Sequence, residues 1–325
     1  MKVMKLLPGI GLSFVVALIA MFIVEELPFD FISATVLAIF IGVIINNIFS
    51  LPDTVKPGIQ FSAKRLLKAF IILLGASMNL TLIFEIGGPT LLLLAFTITT
   101  AFLSSYLLGR VMNTPNRLTT LFGVGGAICG GSAITAVSPV IQAEEKEIAY
   151  SVSTVFLIDM VLILLIPLLA NLLNLSDFAM GLWSGTSIND TSSVVAASFS
   201  FSQGAGEFAT MVKMTRTLAI IPVVLFFSVR NNKGMSTQKI KSIFPWFIVG
   251  FALLAFINTL GWIPSGLNDV LSVIRQYLMV MALGAIGLKT NLQSIRLLGL
   301  KPFIHSMLVS TCVILVSLLV INIMM

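Results

Sequence analysis

Charge is scarce in this chain. Only 10% of its 325 residues are Asp, Glu, Lys or Arg, while 58% are hydrophobic; a soluble domain carries about 25% charge. No soluble fold hides so much apolar side chain behind so few charges, so the composition predicts an integral membrane protein. Histidine and cysteine are scarcer still, with one His (His305) and two Cys (Cys129 and Cys312). Both cysteines stand inside apolar stretches, which excludes a disulfide framework. Three such residues make no His-rich or Cys-rich metal site, and no cofactor is expected. The 19 Lys+Arg exceed the 13 Asp+Glu. In a membrane chain that excess sets orientation, and lipid rather than nucleic acid is the expected surrounding partner.

What the chain has is long apolar runs. On a ruler of about 20 residues per crossing, eleven candidate spans appear: 8–24, 31–50, 62–80, 89–109, 118–142, 147–172, 178–200, 205–229, 243–262, 266–288 and 302–324. No small-residue cleavage site follows the first, so 1–30 reads as a retained extra helix rather than a signal peptide. With the N-terminus in the cytoplasm, Lys2, Lys5, Lys56, Lys64, Arg65, Lys68, Arg110, Arg117, Arg230, Lys233, Lys239, Lys241, Lys289, Arg296 and Lys301 fall inside. Glu25, Glu26, Asp30, Glu85, Glu144, Glu145, Glu147, Glu207 and Asp269 fall outside, with Lys146 and Arg275 as basic exceptions. This positive-inside pattern predicts a multi-pass membrane protein of eleven spans, with its N-terminus in the cytoplasm and its C-terminus outside. No connection is long enough to fold alone, so the chemistry belongs within the membrane.

Leu74-Gly75-Ala76 and Leu283-Gly284-Ala285 close two spans of opposite direction, and Thr81 and Thr290 follow the glycines at the same distance. Similar segments of opposite direction predict an inverted repeat, with halves 31–172 and 173–325.

Two spans are interrupted. Gly123 to Gly131 places five glycines in nine residues, poor helix material, and the glycines stand in adjacent pairs rather than at packing-motif spacing. Ser132 is the expected N-cap of a second half-helix over 133–142. In Gly185-Thr186-Ser187-Ile188-Asn189-Asp190-Thr191-Ser192-Ser193, eight of nine residues are glycine or polar. Ser187, Asn189 or Asp190 is expected to cap a half-helix starting near 191. Unwound backbone in lipid is tolerated only where protein or a water-filled cavity covers it, and half-helix N-termini attract anions. Both interrupted spans would run in the same direction, which fits inverted symmetry only if the second is re-entrant, the repeat is permuted, or the local count is off.

Asp159, Asp190, Lys213 and Arg216 lie deep in spans at about one depth. Each costs at least ~2.5–3.5 kcal/mol to insert, so a shared hydrated or paired site is expected. Lys213 and Arg216, three apart, share a helix face. They either contact substrate or pair with carbonyls of the unwound segments. Asp159 and Asp190 are the candidates for the coupling ion, against the alternative of structural salt bridges. His305 reads as a structural or lipid-interface residue, and Trp183, Trp246 and Trp262 as interface anchors.

Together, the run Gly125 to Pro139 followed by Ser153-Thr154, and the run Gly185 to Ala197 followed by Lys213-Met214-Thr215-Arg216, resemble the YeiH-like family of bacterial membrane proteins, whose members are described as sulfate exporters. The resemblance covers almost the whole chain. Many members carry His where this sequence has Asn189, so a proton carried there must here fall to Asp190 or elsewhere. The family is grouped with cation:proton antiporters, bile-acid symporters and auxin-efflux-like carriers. That kinship implies two crossing interrupted helices, a core domain with a panel or dimer domain, elevator-like alternating access and a homodimer. It carries over Cys129, Gly130, Gly131, Ser132, Thr186, Ser187, Asn189 and Asp190 as substrate-site positions, and brings no catalytic residue.

The expectation is therefore an all-α integral membrane secondary transporter of a small anion (sulfate, sulfonate or carboxylate), coupled to H+ or Na+. Half-helix N-termini with Lys213 and Arg216 would hold the anion, and Asp190 or Asp159 the coupling ion. The alternatives are a cation:proton antiporter and, behind it, a channel. No set of base, nucleophile and metal ligands points to an enzyme.

Overall fold

The computed structural model describes residues 5–26, 33–49, 51–78, 80–230, 244–290 and 300–324; most of the expected connections 25–30 and 230–242 lies outside them. The described residues form helices and turns, with no strand among them. In chain order the helices are α1 (Leu7–Glu26), α2 (Ala34–Ile48), α3 (Lys56–Phe61), α4 (Leu67–Leu74), α5 (Leu80–Val111), α6 (Asn116–Ala127), α7 (Gly131–Val137), α8 (Glu145–Leu172), α9 (Asp177–Ser187), α10 (Thr191–Phe201), α11 (Gln203–Leu218), α12 (Ile220–Arg230), α13 (Trp246–Thr259), α14 (Ser265–Lys289) and α15 (Leu300–Met324). Their starts follow local chemistry. Ser33, Ser176 and Ser202 accept from Val36, Ala179 and Ala205 N–H, while Glu144 and Glu147 form a reciprocal capping box before α8.

Six stretches among the described residues are long and apolar enough to cross a membrane: Leu7–Glu26, Thr90–Val111, Glu145–Leu172, Gln203–Arg230, Gly266–Lys289 and Leu300–Met324. Contacts divide the chain into two units, Met1–Phe84 with Trp246–Gln293 and Glu85–Pro245 with Ser294–Met325. These units describe packing. The halves 31–172 and 173–325 describe duplication, a separate question.

In the first unit, helices touch backbone to backbone through glycine. A Cβ on Gly287 of α14 would strike the Ile39 carbonyl of α2, and one on Gly75, just after α4, would strike the Phe251 carbonyl of α13. The two crossings are closed alike. Asn46 and Asn47, at the end of α2, donate to the Thr290 carbonyl after α14, both at 2.9 Å. Asn258, at the end of α13, donates to the Met78 carbonyl after α4 at 3.1 Å. Arg275, one of the two basic exceptions of the sequence pattern, is buried and donates to Ser77 Oγ. Gly287→Val is expected to lower stability by about 1–3 kcal/mol, the usual cost of overpacking. Gly11→Ala, where a Cβ meets nothing within 4 Å, should cost nothing; thermal unfolding in detergent separates them.

In the second unit the segments expected to cross at 118–142 and 178–200 each fold back as a helical hairpin. Gly130 turns the first, with φ +61, a region that glycine enters freely. Its N–H closes on the Gly125 carbonyl at 3.0 Å. A Cβ on Gly125 would lie 3.0 Å from Ile134 Cδ1, so the arms α6 and α7 lie side by side. Arg117, at the start of α6, stands 3.6 Å from Glu144 and 3.9 Å from Glu147. The start of α8 is therefore at the same end as the start of α6. The placement of Glu144, Glu145 and Glu147 on the opposite side from Arg117 is corrected accordingly. The adjacent glycines announce a break, but the reversal is set by α8, whose Val152 and Val155 side chains pack on Gly131, Gly130 and Gly125.

The second hairpin follows the same plan. Ser202, just after α10, donates to Asp177 at the start of α9 at 2.7 Å. Arm α9 lies parallel on α11, where Gly181 meets Ala209 and Gly185 meets Val212. The first hairpin packs along the N-terminal part of α8. The second packs along its C-terminal part, where Leu162, Ile166 and Ala170 share a core with Ala179, Met180 and Trp183. The hairpins thus enter from opposite ends, and their tips meet near the middle of α8. Trp183 is not an interface anchor: it is buried, and its Nε1 donates to the Ile314 carbonyl of α15 at 3.1 Å. Trp246 and Trp262 are exposed, as an interface position requires.

Candidate functional site

Each tip brings together the C-terminal end of one short helix and the N-terminal end of the next. The last carbonyls of α6 and α9 have no intrahelical partner, and both ends carry partial negative charge. In a membrane interior each unpaired group costs several kcal/mol. Two cations of α11 supply the partners. Lys213 Nζ donates to the Ile128 carbonyl at 2.9 Å and the Ile188 carbonyl at 3.0 Å, one from each tip. Arg216 Nε donates to the Ala127 carbonyl at 2.8 Å and Nη1 to the Thr186 carbonyl at 2.6 Å; Nη2 donates to the Gly126 carbonyl. Both side chains are fully buried. Of the two roles weighed for them, pairing with carbonyls of the unwound segments is the one the geometry displays.

The N-terminal end of α10 is held by carboxylates. Asp159, fully buried in the middle of α8, accepts from Asn189 N–H at 3.0 Å and Asn189 Nδ2 at 2.9 Å through Oδ1. Through Oδ2 it accepts from Asp190 N–H at 2.6 Å. Asp190 is the N-cap of α10, accepting from Ser192 N–H at 2.9 Å and from the Ser192 hydroxyl. The cluster holds two cations and two carboxylates, which balance formally. Asp159 spends its hydrogen bonds on amides rather than on Lys213 or Arg216, so the simple salt bridge weighed for it is not what anchors it.

The other expected residues divide. Cys129 is buried at the first tip. Gly130, rather than Ser132, precedes α7, which spans Gly131–Val137 instead of 133–142. Ser132 lies exposed on that short helix; with Gly130 already reversing the chain, it stands inside the first turn and cannot cap. The Thr186 hydroxyl bonds back to the Leu182 carbonyl at 2.7 Å. Ser187 pairs with Ser317 of α15 at 2.8 Å.

The contribution of α15 was missed. Ser310 lies 3.5 Å from Asn189 Nδ2, and Ser306, Ser310 and Ser317 are buried. Their helical spacing, i, i+4 and i+11, was the available signal. Of the two places weighed for His305, the lipid interface is not the one it takes: it is buried between Ser105 and Thr114, with Nε2 3.0 Å from the Ser105 carbonyl.

Two hairpins entering from opposite ends of long apolar helices, with a charge-balanced cluster buried where their tips meet, define a transporter-like integral membrane protein. The comparison with known sequences gives the family. The profile of the family described as "Conserved hypothetical protein 698" matches residues 8–306, and the chain belongs to it. This is the same family as the YeiH-like one that the motifs resemble. A "UPF0324 membrane protein" of Clostridium tetani is 41% identical over 329 residues, covering 96% of this chain and 95% of the relative. "UPF0324 membrane protein FN0533" of Fusobacterium nucleatum is 38% identical over 317 residues, covering 90% and 91%. "UPF0324 membrane protein spr0034" of Streptococcus pneumoniae is 40% identical over 275 residues, covering 81% and 82%.

Proposed function

We propose that the chain is a secondary transporter of a small anion, such as sulfate, a sulfonate or a carboxylate, whose translocation site is the meeting point of the two tips. One observation carries the reading. At the second tip, Asn189 N–H, Asn189 Nδ2 and Asp190 N–H converge on the two oxygens of one carboxylate, that of Asp159. Charge-assisted bonds of this kind are strong, and the same three donors suit a substrate oxyanion. Protonation of Asp159 would loosen its hold and leave Lys213 and Arg216 in excess. Anion entry would then restore neutrality, so one proton and one anion charge would move together. Coupling through Na+ would use the same carboxylate and Asp190.

The symmetry of the crossings supports the expected inverted repeat. Exchanging α2 with α13 and α4 with α14 maps one crossing and its asparagine onto the other. Exchanging the first hairpin and α8 with the second hairpin and α11 maps each onto a hairpin followed by a helix parallel to its first arm. On this reading the repeat is permuted in sequence, and because both hairpins return to the end they entered, it needs fewer crossings than eleven. Elevator-like alternating access, a homodimer, a bacterial inner-membrane location with the N-terminus inside and the absence of enzymatic activity complete the proposal.

A cation:proton antiporter is the second reading, favoured by the commitment of Lys213 and Arg216 to carbonyls. Labelled sulfate flux into proteoliposomes under imposed pH and Na+ gradients tests both. Saturable gradient-driven uptake that falls at least about tenfold in Asp159→Asn, the scale expected from a lost charge-assisted hydrogen bond, supports the anion carrier. Na+ or H+ exchange without anion flux would replace it by the second reading.

A further inference from the structure

Two hydroxyls on α8 take no part in the tip cluster. Ser151 and Thr154 are fully buried and three residues apart, hence on one face. The Ser151 hydroxyl has no hydrogen-bond partner among the described residues. A hydroxyl inside a helix commonly bonds back to the carbonyl four residues earlier, as those of Ser184, Ser198 and Thr210 do here. A buried polar group left open in this way calls for ordered water.

The interior along α8 is polar on one side of Asp159 only. Tyr150 of α8 and His305 of α15 flank the Phe122 ring of α6, at 6.3 and 5.3 Å between centroids. One turn further in, Cβ atoms on Gly125 and Gly126 of α6 would lie 3.4 Å from Val155 and 3.3 Å from Val309. Around α8, at 3.6 residues per turn, Thr154 and Ser151 fall between Tyr150 and Val155, so both face this three-helix wedge. Ser306 and Ser310 are buried on α15, and Ser310 lies 3.5 Å from the same Asn189 Nδ2 that holds Asp159. Four residues outward from Ser151, Glu147 stands at the base of the first hairpin, 3.9 Å from Arg117. Beyond Asp159 the buried face of α8 is apolar, with Leu162, Ile163 and Ile166, and the nearby hydroxyls of Ser187 and Ser317 satisfy each other.

We propose that Ser151, Thr154, Ser306 and Ser310 line a file of water that carries protons between Asp159 and the end of α8 where the first hairpin is based. A hydroxyl takes a proton on its lone pair and releases its own, so each member ends as it began. Ser151 and Thr154 are closed to bulk solvent, which suits a proton passed from oxygen to oxygen and bars a hydrated Na+. The charged groups of the cluster, Asp190, Lys213 and Arg216, and the Cys129 thiol are held at the tips, off the file; Tyr150 and His305 flank its outer part. The proposal rests on the reading of Asp159 as the coupling carboxylate.

Infrared spectroscopy on the full chain in detergent tests the file without any transport. The band to follow is the carboxyl C=O stretch of protonated Asp159, identified as the one that Asp159→Asn removes. On transfer to D2O at acid pD it should shift within the mixing time. Ser151→Ala with Thr154→Val should slow that shift about a hundredfold, the low end of what a positioned proton transfer contributes, and Thr154→Val alone should slow it in the same direction. Thr154→Ser keeps the hydroxyl and should exchange as the wild type does, and so should Ile166→Val on the apolar side. An unchanged melting temperature shows that the slow variants are folded. Wild-type exchange in the folded double variant overturns the proposal, as does slow exchange in the wild type or the lack of any band that Asp159→Asn removes. The expected exchange pattern without proton-driven flux in proteoliposomes would end the transport reading and leave the file standing.

Discussion

Cysteines introduced as Arg117→Cys and Glu144→Cys, each alone in a background with Cys129→Ala and Cys312→Ala, will react with a membrane-impermeant maleimide from one and the same side. Asp177→Cys and Ser202→Cys will react only from the other side. The expectation follows from two contacts, Arg117 to Glu144 and Ser202 to Asp177, which close each hairpin at its own base. Between the two bases runs α8, 28 residues long, about 42 Å at the helical rise, against a hydrocarbon core of about 30 Å. The effect is all-or-none. If 118–142 crossed the membrane, Arg117→Cys and Glu144→Cys would label from opposite sides, and the tip-to-tip site would not exist. Labelling of right-side-out and inverted vesicles decides it.

Removing Arg216 should cost more than any other single substitution in the second unit. Arg216→Met strips partners from the Gly126, Ala127 and Thr186 carbonyls at once. These groups have no water to turn to, and the loss leaves the cluster with one cation for two carboxylates. A buried charge left unbalanced costs about 3–5 kcal/mol, enough to lower the yield of folded protein and shift detergent melting by many degrees. Arg216→Lys restores the charge but not the fork that reaches both tips, and should recover only part of the loss. Wild-type melting in Arg216→Met would show that the tips are held by something else. Lys213→Met, which frees the Ile128 carbonyl while the Ile188 carbonyl still accepts from Arg216 Nη1 at 3.4 Å, should be milder.

Much of this was legible in the residues. The glycine pairs around Cys129 and the polar run from Thr186 to Ser193 marked both interruptions, because each composition is incompatible with a continuous helix in lipid. The four buried charges marked the site, since their insertion cost requires partners. The direction of the chain after each interruption was not legible. A break at Gly130 permits either a continued crossing or a reversal, and the hydropathy of 118–142 is the same in both. The charge pattern misled here because it was read partly from Glu144, Glu145 and Glu147, and acidic residues contribute little to orientation. The roles of Lys213 and Arg216 were left open for a related reason. Their acceptors are main-chain carbonyls, which every residue carries and no sequence pattern displays.

By itself, then, the sequence determined the solvent of this protein, the helical class, the two points where helices must stop, and the charged residues that gather there. Those follow from composition and local backbone preference, which act within a turn or two of chain. The tertiary structure alone decided that both interrupted segments turn back, that their tips meet, and that Asp159 holds amide donors while Lys213 and Arg216 hold carbonyls. These depend on contacts between residues from 25 to 90 positions apart, where only the packing of α8, α11 and α15 brings donor to acceptor.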